Sequence, residues 1–390
     1  MIKADDGFHL WSENYDRELT NIFVIQDEIA GSIADALKVS LELESGTAGN
    51  LTGTNSIKAY EHYLKGMSLW HLRTVDSLRQ SIKEFEAATA LDPEFAKAHA
   101  GLALGWSVID GYVTMDSKTT SANARIAVNR ALSLDANNVE ALTALGQVTS
   151  NEFKYDEAVS FYERAIELNP SFATAHQWYG GSLGFMGKPE AGLASYQNAW
   201  RLDPRSRIIG ANMATALTGL GRTNEAIDLL QEITTFAPDF PDLFEQLMHI
   251  AIANGDCVNA AEYGKRLAEM LNKKPGSTKV YQDLCQTADP AIRAGAVETL
   301  LSWPAPEFSS ADNPSLSYIT DLAIVLVDLG EFEAALTVTR KFLERESHFI
   351  LVQFRSKRTK NGIRFYCDPR VQSLFEEVGV PPVKGESICD

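Results

Sequence analysis

Residues 139–172, VEALTALGQVTSNEFKYDEAVSFYERAIELNPSF, and residues 173–206, ATAHQWYGGSLGFMGKPEAGLASYQNAWRLDPRS, lie end to end and carry one pattern. Pro170, Pro204 and Pro238 stand 34 residues apart, and Gly187, Gly221 and Gly255 keep the same step. So do Ala158, Gly192, Ala226 and Ala260, while Gly146 and Gly180 form a fourth column. Several columns in one phase define a repeat. Each unit reads as two amphipathic helices, Val139 to Asn151 and Tyr155 to Leu168 in the first of them. The Gly of the turn between them takes a positive φ that other residues resist. The small residues meet where the helices cross, since larger side chains there would overpack at about 1–3 kcal/mol. The Pro column ends each second helix, because Pro cannot continue the backbone ladder.

Helix pairs at this period resemble the tetratricopeptide repeat family. The resemblance implies an all-α fold, a right-handed α-solenoid of antiparallel helix pairs. Four repeats follow directly: 139–172, 173–206, 207–240 and 241–274. Upstream, LDPEFAKAHAGLALGW around Pro93 aligns with LNPSFATAHQWYGGSL around Pro170, matching Phe95 to Phe172, Ala98 to Ala175 and His99 to His176. Two earlier repeats, 58–95 and 96–138, complete an array of six over 58–274. From Pro93 to Ala136 is 43 residues, nine more than the period. The excess falls in DGYVTMDSKTT, 110–120, which reads as a polar loop between two helices. Residues 275–346 read as degenerate helix pairs: Ser277–Gln286, Pro290–Leu301, then Ser317–Leu329 and Glu333–Glu346 with Gly330 at the turn and Ala335 in the small column. A Pro-rich connection, 303–314, interrupts them. Residues 347–390 form a cap and tail, with a short helix from Asp368-Pro369 to Glu377.

Residues 1–45 differ. GFHLWSENYDREL, 7–19, is a strand-like start, and Ile22, Ile25, Ile29, Ile33 and Leu37 give a long amphipathic helix. Residues 46–57, Gly-rich, read as a linker. GFHLWSENYDREL with IFVIQDEIA, 22–30, resembles the end of the TolB/FlgO-like α/β domain. AYEHYLKGMSLW (59–70), ALDPEFAKAHAGLA (90–103), FATAHQWYGGSL (172–183) and DPRVQSLFEEVG (368–379) extend the similarity. That domain precedes tetratricopeptide repeats in bacterial class III adenylate/guanylate cyclases and in winged-helix regulators of the acid-sensing type. The resemblance implies a chain that begins inside a domain, with the metal-binding aspartates of any cyclase upstream of Met1.

Composition narrows the partners. Formal net charge is -17, from 35 Lys+Arg against 52 Asp+Glu, so the surface repels phosphate backbones and no nucleic acid is expected. The apolar stretch Leu322–Leu329, interrupted by Asp328, is too short for the ~20 residues of a membrane span. MIKADDGFHLWSEN has no apolar core of signal-peptide length, and a cytoplasmic placement is expected. Cys257, Cys285, Cys367 and Cys389 form no CxxC pair. They suit reduced, partly buried thiols, although scattered cysteines do not exclude an oxidising compartment. No GxGxxG, P-loop, HExxH or GxSxG string occurs, so no cofactor, metal or catalytic residue is expected and the chain is not read as an enzyme. His99 and His176 share one repeat position and read as packing residues. Trp106, Trp178 and Trp200 read as core, and Asp156 and Glu157 as helix-start charges.

Binding another protein or peptide in the concave groove is the function the family resemblance implies. By that resemblance, positions 2, 5, 9, 12 and 13 of each repeat line the groove. Here these include Glu140, Thr143, Gln147, Ser150 and Asn151, then Thr174, Gln177 and Phe185, then Asp242, Glu245 and His249. The Lys/Asn/Arg set that clamps a C-terminal carboxylate in chaperone-binding relatives is absent. Arg355, Lys357, Arg358, Lys360 and Arg364 form a basic cluster within 347–367, read either as a solvated connecting loop or as a dock for an acidic surface. The expected role is a non-catalytic scaffold in bacterial signalling or regulation. The alternative is the C-terminal regulatory part of an adenylate-cyclase-type enzyme or a transcriptional regulator.

Overall fold

The computed structural model describes residues 53–112, 117–270, 283, 285, 290–302, 323, 324, 326, 327, 329–343, 360–379 and 389. The N-terminal segment 1–45, most of the linker and the Pro-rich connection lie outside them. All regular structure among the described residues is helical. Six helix pairs run in order: α1 (Ile57–Leu72) with α2 (Val75–Leu91), α3 (Ala96–Trp106) with α4 (Ser117–Leu134), and α5 (Val139–Asn151) with α6 (Tyr155–Leu168). Then come α7 (Ala173–Phe185) with α8 (Pro189–Leu202), α9 (Arg207–Gly219) with α10 (Thr223–Thr234), and α11 (Pro241–Ala253) with α12 (Cys257–Met270).

Local chemistry sets the boundaries. Ser56, Asn138 and Ser206 cap α1, α5 and α9 by accepting from a backbone N–H three residues on. Pro189 and Pro241 open α8 and α11 at the first helical position. Gly187, Gly221 and Gly255 sit at φ of 79°, 74° and 70°, as the turn column requires. Between repeats, an Asp or Asn side chain accepts from the backbone N–H two residues on: Asp92 from Glu94, Asp135 from Asn137, Asn169 from Ser171. This Asx turn explains why Ala136 replaces Pro without loss of the connection.

The small-residue columns sit at the helix crossings. A Cβ on Gly192 would lie 2.7 Å from the Gly180 carbonyl oxygen, so α7 and α8 touch backbone to backbone. At Gly146 the neighbour is the ring of Tyr162 rather than Ala158, at 2.6 Å from an added Cβ. Ala158, Ala226 and Ala260 are fully buried. Consecutive first helices contact one another all along the array, α1 with α3 through to α9 with α11, while the second helices make no comparable contact. Helices that touch on one side and splay on the other curve the stack, and the first helices line the inner face.

Beyond α12 the chain forms α13 (Pro290–Ser302), α14 (Phe332–Leu343), α15 (Lys360–Tyr366) and α16 (Pro369–Glu377). Gly330, at φ 78°, makes the turn before α14, and Ala335 is fully buried. Met248, Ala251 and Ala260 of the last repeat share one apolar cluster with Val327, Phe365, Leu374 and Phe375. The C-terminal helices thereby cover the end of the array, the cap an open solenoid needs. Of the degenerate stretch Ser277–Gln286, only Asp283 and Cys285 fall within the described residues.

Two expectations need correcting. The cysteines are not free thiols: Cys257 is bonded to Cys285 and Cys367 to Cys389. Nor is 110–120 a loop throughout: Asp110 and Gly111 belong to the 3-10 turn Ile109–Gly111, and 117–120 open α4. Residues 113–116 lie outside the described residues, and the chain just before the loop is buried, with Ser107 and Ile109 at 2% and 1% exposure.

Candidate functional site: the concave face

The inner face is built by residues that a regular repeat points away from the second helices. On α5, Gln147 donates from Nε2 to Asn151 Oδ1 at 2.9 Å and accepts the Tyr162 hydroxyl at 3.2 Å. Asn151 is exposed and donates to the Ser107 carbonyl at 3.4 Å. Glu140 and Gln147 are partly exposed. Thr143, however, is fully buried and turns its hydroxyl onto the Val139 carbonyl at 2.8 Å. On α7, Thr174 and Gln177 are 8% and 4% exposed, and Phe185 packs against Tyr155 with ring centroids 5.9 Å apart. Glu245 and His249 on α11 are partly exposed.

The chain itself covers the middle of this face. Ile109 joins an apolar cluster with Trp70, Ala144 and Trp178, and Val108 and Tyr112 pack against it. The C-terminal end of α1 reaches the same place. Trp70 meets Trp178 edge to face at 6.2 Å, and Arg207 at the start of α9 donates to the Leu72 carbonyl. Arg73, with a positive φ of 50°, lays its guanidinium 3.6 Å from the Trp70 ring centroid. Repeat one thus contacts repeats four and five across the concavity. Of the residues predicted to meet a partner, Thr143, Thr174 and Gln177 are buried, Glu140, Gln147, Phe185, Glu245 and His249 are partly exposed, and Asn151 is exposed.

Electrostatics follow the same geometry. Burial pushes the Asp242 carboxyl up to about 7, with Glu245 adding to the rise and Arg207 opposing it. Burial likewise raises Asp110 to about 6 against a 3.4 Å hydrogen bond from Thr120. The Tyr112 phenol rises through burial, with Asp242 adding to the rise and Arg73 and Arg207 acting against it. Burial lowers Arg73 to about 10. Charged groups from α9, α11 and the two turns therefore converge at one end of the internal layer. Sequence reasoning missed Arg73, Asp110, Tyr112 and Arg207, because nothing in the repeat pattern places the inserted turn inside the curve.

The remaining candidates read as structure. His99 and His176 bond through Nε2 to the carbonyls of Pro93 and Pro170, at 3.1 and 2.9 Å, tying each first helix to the turn before it. Trp178 is 8% exposed, and Trp106 and Trp200 pack against the clusters beside them. Asp156 and Glu157 occupy the first turn of α6. Of the basic cluster, Arg355, Lys357 and Arg358 lie outside the described residues. Lys360 opens α15, and Arg364 is exposed, its guanidinium 5.4 Å from the Phe332 ring centroid. Among the described residues no group of three or more His, Cys, Asp or Glu is placed to hold a metal ion. No described helix is long and apolar enough to cross a membrane.

The family profile described as Tetratricopeptide repeat matches residues 139–172, the bounds read from the repeat columns. "Putative adenylate cyclase 3" of Rhizobium meliloti (strain 1021) is 30% identical over 105 residues, 27% of this chain and 18% of that protein. "Transcriptional regulator HilA" of Salmonella paratyphi A is 23% identical over 279 residues, 71% of this chain and 49% of that protein. The chain thus spans half or less of these relatives. Among solved structures, yeast Tom70 overlaps with a TM-score of 0.45 at 14% identity, covering 84% of this chain and 65% of that one. The type IV pilus biogenesis factor PilW overlaps at 0.44 and 18% identity, covering 55% and 96%. The protein is an all-α solenoid of helix pairs, and one of its repeats, 139–172, matches the tetratricopeptide profile.

Proposed function

We propose that this chain is a non-catalytic scaffold that binds another protein, most simply as an extended peptide or a helix, along the solvent-facing part of its concave face. The observation that carries the reading is the inner layer of first helices. It stacks from α1 to α11 on buried apolar seams, and Gln147, Asn151, Glu245 and His249 on those helices keep part of their surface exposed. A rigid array with polar side chains at a regular pitch offers hydrogen bonds in register with a chain laid along it. Thr143, Thr174 and Gln177 are buried and take no part. The net charge of -17 disfavours nucleic acid and favours a basic partner segment.

The test places a photo-crosslinking residue in the full chain at Gln147 or Glu245, and for contrast at Glu157 or Glu232 on the outer helices. The reading expects one partner to crosslink from the inner positions only. Equal labelling from both sets, or none from the inner set, removes it.

A second reading is favoured by the span of similarity to the transcriptional regulator. In it the array is a regulatory arm that acts with a cyclase or DNA-binding part. Reading the DNA in frame upstream of the coding start discriminates: a cyclase or winged-helix sequence there supports this version. Formation of cyclic AMP from ATP by this chain alone would overturn both. The two disulfides argue against the cytoplasmic placement expected from the sequence.

A further inference from the structure

All four cysteines of the chain fall into two pairs, each with Cα atoms 5.4 Å apart. Bridged cysteines have Cα atoms about 4.4–6.8 Å apart. Four cysteines admit three complete pairings, and the fold brings together the partners of one of them with none left over. Placement fits a purpose. Cys257 opens α12, the last helix of the regular array, and its partner Cys285 lies 28 residues on. Cys367 sits between α15 and α16, against the apolar cluster that closes the solenoid, and its partner Cys389 lies 22 residues on. Both bridges are therefore at the end where the repeat columns fade, and neither is in the regular repeats one to five.

The end of a solenoid is its weak point, because stability there rests on one neighbour instead of two. The cap core of Phe365, Val371, Leu374 and Phe375 is small, and α15 has only seven residues. Closing a loop of this length by a covalent bond removes conformations from the unfolded chain and favours the docked cap. A reduced thiol at Cys257 or Cys367 would give no such support.

We infer that Cys257–Cys285 and Cys367–Cys389 are structural disulfides, that they stabilise the C-terminal cap, the first by pinning the chain that leaves α12 and the second by closing the tail on the cap core, and that the chain folds and works in an oxidising compartment. Disulfides of this kind do not persist against the thiol pool of a reducing cytosol. Each forms by exchange with the disulfide of a thiol–disulfide oxidoreductase. Two cysteine thiols give up two protons and two electrons, and the donor disulfide takes them up to become a dithiol. Cys257, Cys285 and Cys367 are partly exposed and Cys389 is exposed, so oxidant and reductant both have access. The inference stands independently of what the concave face binds.

The experiment uses the full chain expressed in its own host, with thiols trapped by acid and alkylated before lysis. No alkylated cysteine is expected without reductant and four after it, with peptide mapping linking Cys257 to Cys285 and Cys367 to Cys389. Four alkylated cysteines in the unreduced sample, or linkage in either other pairing, overturns the inference. Limited proteolysis of the purified chain tests the cap. Adding reductant is expected to speed cleavage within 323–379 while leaving α1–α10 protected, and Cys367→Ser/Cys389→Ser is expected to do the same without reductant. Unchanged cleavage after verified reduction overturns the claim that the bridges hold the cap.

Discussion

At Gly192 the array tolerates no side chain for a reason that differs from Gly221, and the two substitutions separate the reasons. A methyl on Gly192 meets the Gly180 carbonyl at 2.7 Å, and backbone cannot move aside without parting α7 from α8. The overpacking costs about 1–3 kcal/mol and outweighs the gain of up to about 1 kcal/mol from replacing a mid-helix Gly. Gly221 meets nothing within 4 Å, so Gly221→Ala is opposed by the left-handed backbone alone, at about 1–2 kcal/mol. Both lower the thermal midpoint, but Asn, which accepts a positive φ, recovers stability at 221 and worsens it at 192. Recovery at both positions would mean the α7–α8 contact is not tight. Asp242 makes a pH prediction. Its pKa is raised from 3.8 to about 7, so the folded state holds the proton more tightly than the unfolded chain. The stability this contributes is fully present below about pH 4 and is lost as pH rises through 7. Asp242→Asn is therefore expected to flatten the fall in midpoint between pH 4 and 7 and to exceed the native chain at pH 8. An identical slope in both proteins would show the carboxylate already charged.

Single elements differ in how far the sequence disclosed them. Helices α5 and α6 fall on the residues read from periodicity, and the turn glycines take the expected φ, because both depend on neighbours within one repeat. The capping helix Pro369–Glu377 was likewise legible from Asp368-Pro369. The turn after α3 was not. Asp110 and Tyr112 look polar in sequence, and only the curvature of the stack decides that this turn falls inward, where Ile109 meets Trp70 and Trp178. The groove residues suffered from the same blindness: Thr143 and Gln177 occupy positions that the family pattern assigns to the groove, yet both are buried. The element can be tested directly. Ile109→Ala is expected to cost about 2–5 kcal/mol, as in a core helix, with urea unfolding as the measurement. A loss under about 0.5 kcal/mol, typical of a surface site, would return the segment to solvent.

The molecule as a whole departs from a chain of nearest neighbours. In an ideal solenoid each repeat feels only the two beside it, and ends fray independently of the middle. Here Trp70 rests on Trp178, and Arg207 holds the Leu72 carbonyl across 135 residues. Contacts of this span tie repeat one to repeats four and five, and the first five repeats are expected to open as one cooperative unit. Among the described residues the C-terminal helices show no such strut and rest on α11, α12 and the two bridges. Trp70→Ala, at about 3–5 kcal/mol for a buried Trp, is then expected to lower hydrogen-exchange protection in α7 to α9 as well as in α1 and α2. Phe375→Ala, at a similar expected cost, should lower protection in α11 to α16 and leave α1 to α8 unchanged. Exchange confined to α1 to α3 in the Trp70 variant would show that contact across the curve does not couple the repeats. It would also reopen the middle of the concave face, since a partner peptide displaces from Trp178 a strut too weak to carry stability.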